Sequence, residues 1–142
     1  MNNDLPLIHI SETPLSVETC YQLVHSEACG AVDVFVGTVR NQTKGKAVIR
    51  LDFESYVPMA LSEMKKIAQR ASDSWPIDKI AIHHRVGSLA LGEIAVVIAV
   101  STPHRKASFE ACQFAIDTLK ETVPIWKKEV FADGEVWVAA HP

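Results

Sequence analysis

The sequence predicts an α+β domain built on a mainly antiparallel sheet with about three helices. Short β-rich runs outnumber the helical segments, and glycine-containing turns separate several of these runs. Two predicted strands lie between each pair of successive helices. In chain order the predicted elements are βαββαββαββ, with three expected hairpins. Because strands and helices do not alternate one by one, this order favours antiparallel pairing over a doubly wound parallel sheet.

The chain opens with a predicted strand followed by a short helix. Residues 5–10 form an apolar run of strand length. The helix starts at Thr13-Pro14 or at Ser16, because these residue types favour the first positions of a helix, and it runs toward Gly30. Glycine is a common helix stop, since it adopts the left-handed conformation without strain.

A predicted hairpin and a second helix follow. Residues 31–40 and 47–56 are rich in β-formers and flank the polar loop NQTKGK, which is typical of a hairpin with a mobile tip. Residues 58–74 place apolar side chains on one side at helical spacing and charged ones on the other, and Pro76 ends this helix.

The next two strands contain the most apolar run of the chain. Residues 80–86 and 93–101 are expected to pair around Gly87 and Gly92. The second run consists almost entirely of Val, Ile and Ala, which is typical of a strand in the centre of a sheet.

A third helix is predicted to begin with Thr102 as its N-cap and Pro103 in its first turn, and to stop at Pro124. Its residues repeat at alternating spacings of 3 and 4, which draws one apolar stripe. The stripe consists of Phe109, Cys112, Ile116, Leu119 and Val123.

The chain closes with a predicted hairpin. Residues 125–131 and 135–139 are β-rich and flank an Asp-Gly dipeptide, a strong short-range hairpin signal. Lys127 and Lys128 lie in the first of these strands and point to opposite faces, because side chains alternate along an extended chain.

Length and composition predict a single domain over residues 1–142, since 48% hydrophobic residues are enough for a substantial core. The net charge of -3 and the pI near 6.0 are atypical of a nucleic-acid binder. No apolar run reaches the roughly 18 residues of a membrane span, and no leader pattern is present. The 3 cysteines lack a ligand or disulfide pattern, which indicates free thiols in a reducing cytoplasm.

The familiar catalytic and metal-binding motifs are missing from the sequence. His83 and His84 are adjacent in a strand, so their rings point to opposite faces and cannot easily chelate one metal ion. GxGxxG, GxxxxGKS and GxSxG do not occur. Cys112 lies on the predicted apolar stripe, which disfavours a nucleophilic role. We therefore expect neither a metal nor a cofactor.

Cationic residues cluster around the third helix. His104 and Arg105 lie at its start, beside unpaired backbone N–H groups and the positive end of the helix dipole, which outlines an anion site. Lys120 lies in the last turn, and the Lys-Lys pair follows. Each lysine alone is typical of a protein surface, but the combination in a chain with 14 lysines and arginines indicates a functional site. Arg40 ends an apolar strand, where a site residue and a solvated edge arginine are equally expected.

Five blocks of the sequence resemble the successive motifs of one family, in the same order. They are GxVRN, ExYxPMA, the HRxG that begins at His84, the HR pair at the start of the third helix, and LKxxxPxWKKE. The resemblance covers roughly residues 30–138, which is most of the chain. On these blocks the chain resembles the large, catalytic subunit of molybdopterin synthase, the MoaE family.

The resemblance implies an α/β-hammerhead type of fold and a role in molybdenum cofactor synthesis. Cyclic pyranopterin monophosphate would receive two sulfurs, carried as a thiocarboxylate on the C-terminus of a small ubiquitin-like subunit, and become molybdopterin. The family assembles as a homodimer of large subunits with one small subunit at each end. By matched position, Lys120 and Lys127 would be catalytic. The pocket would also contain Thr38, Val39, Arg40, His104, Arg105, Lys128 and Glu129.

Helix length leads to a separate inference about assembly. Arg105 and Lys120 are 15 positions apart, which is about 22 Å along a helix that rises roughly 1.5 Å per residue. One small pterin does not span that distance comfortably. We therefore predict a homodimer in which His104 and Arg105 of one copy complete a pocket that contains Arg40, Lys120 and Lys127 of the other.

Two other functions are compatible with the same residues. A non-catalytic dimeric module would use its basic pocket to bind a phosphate ligand or an acidic C-terminal tail. A cysteine-dependent enzyme would use Cys112 instead and would lose its activity when that residue is replaced.

Overall fold

The computed structural model describes residues 5–139 and confirms an α+β fold with mainly antiparallel strands. Its helices are α1 (Val17–Val24), α2 (Val57–Ser74) and α3 (Arg105–Thr122). Within the described residues the strands are β1 (Ile8–Ser11), β2 (Ala31–Thr38), β3 (Gln42–Thr43), β4 (Lys46–Ser55), β5 (Lys79–Arg85), β6 (Gly87–Ala90), β7 (Ile94–Thr102), β8 (Ile125–Phe131) and β9 (Gly134–Ala139).

The first sheet has the strand order β1-β5-β7-β2, in which β1 and β5 are parallel and the other pairs antiparallel. The expected central position of residues 93–101 is confirmed, because β7 lies between β5 and β2 and is buried from its second residue onward. Helix α1 covers one face of this sheet, and α2 and α3 cover the other. Of the two start sites predicted for α1, the structure uses Ser16, whose hydroxyl accepts a hydrogen bond from Thr19 N at 3.1 Å.

The second sheet has the order β3-β4-β8-β9, with the short strand β6 beside β4. The predicted β8–β9 hairpin is confirmed. The predicted hairpin of residues 31–40 with residues 47–56 is wrong, because β2 pairs with β7 and β4 pairs with β6 and β8. The chain reverses inside the loop instead, where β3 pairs with β4 around Lys44 and Gly45. Both turn residues have positive φ values, 50° and 79°, which make this a tight turn. The chain therefore reverses within the loop, and β4 does not pair with β2.

Helix α3 differs from its prediction at both its start and its apolar face. His104 is the N-cap rather than Thr102, because β7 continues through Thr102, whose hydroxyl donates to the carbonyl of His104 at 2.6 Å. Phe109 is 56% exposed and does not belong to the buried stripe. The buried face is rotated toward small residues that allow close packing on the sheet, and includes Ser108, Ala111, Cys112, Ala115, Ile116 and Leu119.

The main hydrophobic core lies between the first sheet, helices α2 and α3 and the inner face of the second sheet. Strand β6, which the sequence analysis treated as a turn, contributes the fully buried Leu89 to this core. No helix in residues 5–139 is both long and apolar enough to cross a membrane.

Candidate active site

A recess opens where the two sheets meet beside the end of α3. Its volume is about 100 Å³. The residues that line it come from β2, β4, β5, β7, α3 and β8, so the site forms only when both sheets are assembled. They are Phe35, Gly37, Thr38, Leu51, Phe53, His84, Ala95, Val96, Ile116, Leu119, Lys120 and Lys127.

Gly37 lies at one wall of the recess because a side chain would not fit there. It pairs with Val96 on β7, and Val96 pairs with His84 on β5, so the three residues form one row across the first sheet. A Cβ atom on Gly37 would lie 2.7 Å from Val96 Cγ1 and 3.3 Å from the Phe35 ring. The missing side chain therefore keeps this row open.

Lys127 is the inward-facing lysine of β8. It lies opposite Phe53 in the β4–β8 ladder, and directly opposed residues of an antiparallel pair share one face of the sheet. Burial lowers the pKa of Lys127 below its ordinary value, and the positive charges of Lys120 and Arg40 lower it further, against the raising effect of Glu129. These four charged groups therefore form one electrostatic cluster.

Lys120 reaches the recess from the last turn of α3, and Arg40 is near enough for its charge to act on Lys127. Arg40 is exposed and lines an adjoining depression of about 330 Å³ formed by the loop residues Asn41, Gln42, Lys44 and Gly45. Glu129 is buried beneath this loop, where its carboxylate accepts a hydrogen bond from the Thr43 hydroxyl at 2.8 Å. That bond ties the loop to β8.

The electrostatics of the recess favour anions. Of the described residues that line it, two carry ammonium groups and none carries a carboxylate. A negatively charged reactant bound there would be partly shielded from water, so each ammonium would stabilise it more strongly than on an open surface.

Residues 10–122 match the family model described as MoaE protein. The chain belongs to the MoaE family. This confirms the resemblance carried by the sequence blocks.

Similar proteins and solved structures agree with the MoaE assignment. The molybdopterin synthase catalytic subunit of Homo sapiens is 47% identical over 131 residues, which is 92% of this chain and 70% of the human protein. The crystal structure of molybdopterin synthase from Staphylococcus aureus superposes with a TM-score of 0.91 at 41% identity, covering 94% of this chain and 97% of that one. A protein–protein complex of subunits 1 and 2 of molybdopterin-converting factor from Helicobacter pylori shares the fold, with a TM-score of 0.79 and 21% identity over 96% of this chain and 94% of that one.

Three MoaE motif positions expected at the site lie together around the recess. Thr38, Lys120 and Lys127 line it directly. Arg40 and Glu129 do not line it, but their charges act on Lys127.

Lys128 and Val39 do not reach the recess, for reasons of strand geometry. Lys128 follows Lys127 by one residue and so points to the opposite face, 3.8 Å from Asp52 and 3.5 Å from Glu135. The Val39 side chain is buried in the core, and its backbone bonds to Glu93 O and to the N–H of Gly92. Neither side chain is placed to contact a ligand in the recess.

His104 and Arg105 are exposed at the opposite end of α3 from Lys120. The helix is continuous over Arg105–Thr122, which separates Arg105 from Lys120 by about 22 Å at roughly 1.5 Å per residue. Within one chain, Arg105 and Lys120 therefore cannot contact the same small ligand.

Three residues of the recess were not predicted as site residues, namely Phe35, Phe53 and His84. His84 was considered only as a metal ligand, although it stands inside the HRxG block. Side chains alternate along β5, and the apolar Ile80 and Ile82 identify its inner face. His84 lies on the same face as these two residues, so its inward orientation could have been predicted.

The structure disfavours a nucleophilic role for Cys112. Burial raises the pKa of the Cys112 thiol to about 12, with the charge of Asp33 adding to the effect. A thiol with that pKa is not a nucleophile at neutral pH. Within residues 5–139, His, Cys, Asp and Glu side chains do not gather in groups of three or more that could hold a metal ion.

Proposed function

We propose that this chain is the catalytic subunit of molybdopterin synthase, an enzyme of molybdenum cofactor synthesis. It transfers two sulfurs from the thiocarboxylated C-terminus of a small ubiquitin-like subunit to cyclic pyranopterin monophosphate and so forms molybdopterin. The observation that carries the proposal is the recess in which Lys120 and the partly desolvated Lys127 meet without a carboxylate among the lining residues.

Both reactants fit the charge of this recess. Cyclic pyranopterin monophosphate carries a phosphate, and a thiocarboxylate is an anion, so each needs positive charge nearby. The partner supplies the sulfur, which explains why the site works without a reactive cysteine of its own. Cys112 accordingly remains a buried thiol.

Lys120 and Lys127 act as electrostatic catalysts. As ammonium groups they stabilise the oxyanion that forms at the acyl carbon of the donor, and they neutralise charge that develops on the pterin as C–O bonds give way to C–S bonds. Burial also lowers the pKa of Lys127 below its ordinary value, which makes its neutral amine, a possible base, easier to form than that of an ordinary lysine.

A second copy of the chain completes the site. The recess measures about 100 Å³, whereas pockets that enclose small molecules usually measure about 300–1,000 Å³. His104 and Arg105 are too distant to act on the recess of their own chain. In a homodimer they contribute the phosphate-binding wall of the partner's pocket, with the substrate between the two copies.

The small subunit binds at each end of this dimer, which gives a heterotetramer. The Helicobacter pylori structure named above is likewise a complex of two kinds of subunit. The three cysteines of this chain are free thiols, in keeping with a cytoplasmic location.

Reconstitution tests the proposal directly. The purified chain is mixed with thiocarboxylated small subunit and cyclic pyranopterin monophosphate, and the dithiolene product is measured. We expect product with wild type and none when the small subunit carries an ordinary carboxylate. Binding of both reactants without product would reject the enzyme and favour the non-catalytic module instead.

A further inference from the structure

A buried histidine of the recess has no role in the function proposed above. His84 is 3% exposed and lines the recess together with Lys120 and Lys127. Among the described lining residues, these three have the only titratable side chains. Of the three, His84 carries the group whose ordinary pKa lies nearest to neutrality, so an imidazole at this position is suited to accept a proton.

Contacts on several sides fix the orientation of the His84 ring. Its Nδ1 lies 2.8 Å from the carbonyl oxygen of Arg85. A carbonyl oxygen only accepts hydrogen bonds, so Nδ1 carries the hydrogen and Nε2 of the neutral ring carries the lone pair. The ring of Phe53 packs against it edge to face, with centroids 5.5 Å apart and planes at 69°.

The residue that accepts this hydrogen bond is itself held in place. Arg85 Nη1 donates to Glu93 Oε2 at 2.6 Å, and Glu93 Oε1 accepts from the backbone N–H of Ala90 at 2.7 Å. The segment that joins β5 to β7 therefore stabilises one tautomer of His84 in one orientation.

Burial, together with the smaller effect of the positive charge of Lys120, lowers the pKa of His84 to about 4. The ring is consequently neutral in the empty site at physiological pH. The phosphate of the bound pterin and the oxyanion that develops at the acyl carbon would stabilise the imidazolium and raise its pKa toward neutrality, which is the range in which a general base is effective.

The proposed reaction needs a proton acceptor. A thiocarboxylate that gives up its sulfur must gain an oxygen from water if the tail is to return as a carboxylate. For the sulfur to stay bound throughout, it must first form a bond to a pterin carbon, where a C–O bond breaks and the oxygen leaves with the electron pair. The sulfur then links the acyl carbon to the pterin carbon until the acyl–sulfur bond breaks. Water then forms a bond to the acyl carbon and loses a proton, and the acyl–sulfur bond breaks with its electron pair going to a pterin thiolate.

We propose that His84 Nε2 is the general base that takes the proton from this water, a role that rests on the proposed function. Lys120 and Lys127 stabilise the oxyanion of the tetrahedral intermediate. The acyl group leaves as a carboxylic acid, which loses the second proton of the water to solvent, and His84 returns its own proton to solvent before the next cycle.

The test compares His84→Gln with His83→Gln in single-turnover reactions with thiocarboxylated small subunit and cyclic pyranopterin monophosphate. Glutamine can still hydrogen-bond but cannot take the proton, and His83, equally buried, faces away from the recess toward Val97 and α1. Quenched samples are analysed by mass spectrometry for the covalent adduct of the small subunit and the pterin.

We expect His84→Gln to form product about 100-fold more slowly than wild type and to accumulate the adduct, whereas His83→Gln matches wild type. Product formation by His84→Gln within threefold of wild type, or its loss without adduct at an unchanged melting temperature, overturns the role of His84. Should His84→Gln fail to fold, His84→Asn, which keeps a donor for Arg85 O, is judged by the same two criteria. If wild type forms neither product nor adduct, the proposed function itself fails.

Discussion

Lys127 and Phe53 lie directly opposite each other on the antiparallel strands β8 and β4. The pairing turns the lysine inward, and the Phe53 ring then contacts His84 of the other sheet. The next residue along, Lys128, lies opposite Asp52 and faces outward. Lys127 and Lys128 are consecutive residues of β8, and they therefore lie on opposite faces of the sheet, the first in the recess and the second outside it.

Replacing Lys127 by alanine is expected to lower turnover about 100-fold, the usual effect of removing one group that stabilises a developing negative charge. Lys128→Ala is the matched control, because its side chain lies on the other face of β8, where it pairs with Asp52 and Glu135. Dithiolene formation at saturating substrate measures both. Equal losses in the two variants would contradict the division of roles between the two faces of β8.

A mixture of Arg105→Ala and Lys120→Ala chains is expected to regain activity that neither variant has alone. If each pocket uses Lys120 from one copy and Arg105 from the other, every mixed dimer contains one intact pocket. Random exchange of subunits gives about a quarter of the wild-type activity. Product formation is measured after co-refolding, and a mixture as inactive as its parents would exclude a shared pocket.

Alanine at Cys112 should leave turnover within about twofold of wild type and lower stability by about 1 kcal/mol. The thiol is buried and its Sγ lies 3.8 Å from Ile98 O, so its contribution is packing rather than reactivity. Steady-state assays and urea unfolding of the same preparation separate the two effects. A variant that folds normally but is inactive would revive the cysteine-dependent enzyme.

The stability contribution of His84 should depend on pH between about 4, its pKa in the fold, and about 6.5, its ordinary value. In that window the unfolded chain binds more protons than the folded chain, so stability rises with pH and is lost on acidification. The difference in unfolding free energy between wild type and His84→Gln should therefore shrink as pH falls from 6.5 to 4. Urea unfolding at several pH values measures it, and a constant difference would mean that the ring is not buried in its neutral form.

Gly37→Ala is expected to destabilise the protein by about 1–3 kcal/mol, because the new methyl group overlaps Val96 in the row that bounds the recess. Val36→Thr, at the neighbouring exposed position, should change stability by no more than about 0.5 kcal/mol. Thermal unfolding compares the two variants. An unchanged Gly37→Ala melting temperature would show that the sheet adjusts to the methyl group at no cost.

Local pattern was sufficient for the helices and for most strands, because their periodicity depends on neighbours only three or four residues away. It predicted α2, the central strand β7 and the hairpin of β8 with β9. It was wrong about the partner of β2, since a turn sequence fixes where a chain reverses but not which distant strand it then meets. It was also wrong about Phe109, because the helix packs through the smaller Ala111 and Ala115.

The sequence by itself determined the residue types of the site, namely the cations in the GxVRN, HR and WKKE blocks, and the alternation that separates Lys127 from Lys128. Only the tertiary structure decided that Lys127, Lys120 and His84 share one recess and that Val39 is buried in the core. Such a convergence depends on pairing between strands that are far apart in the chain. It also sets the burial on which the lowered pKa values of Lys127 and His84 depend.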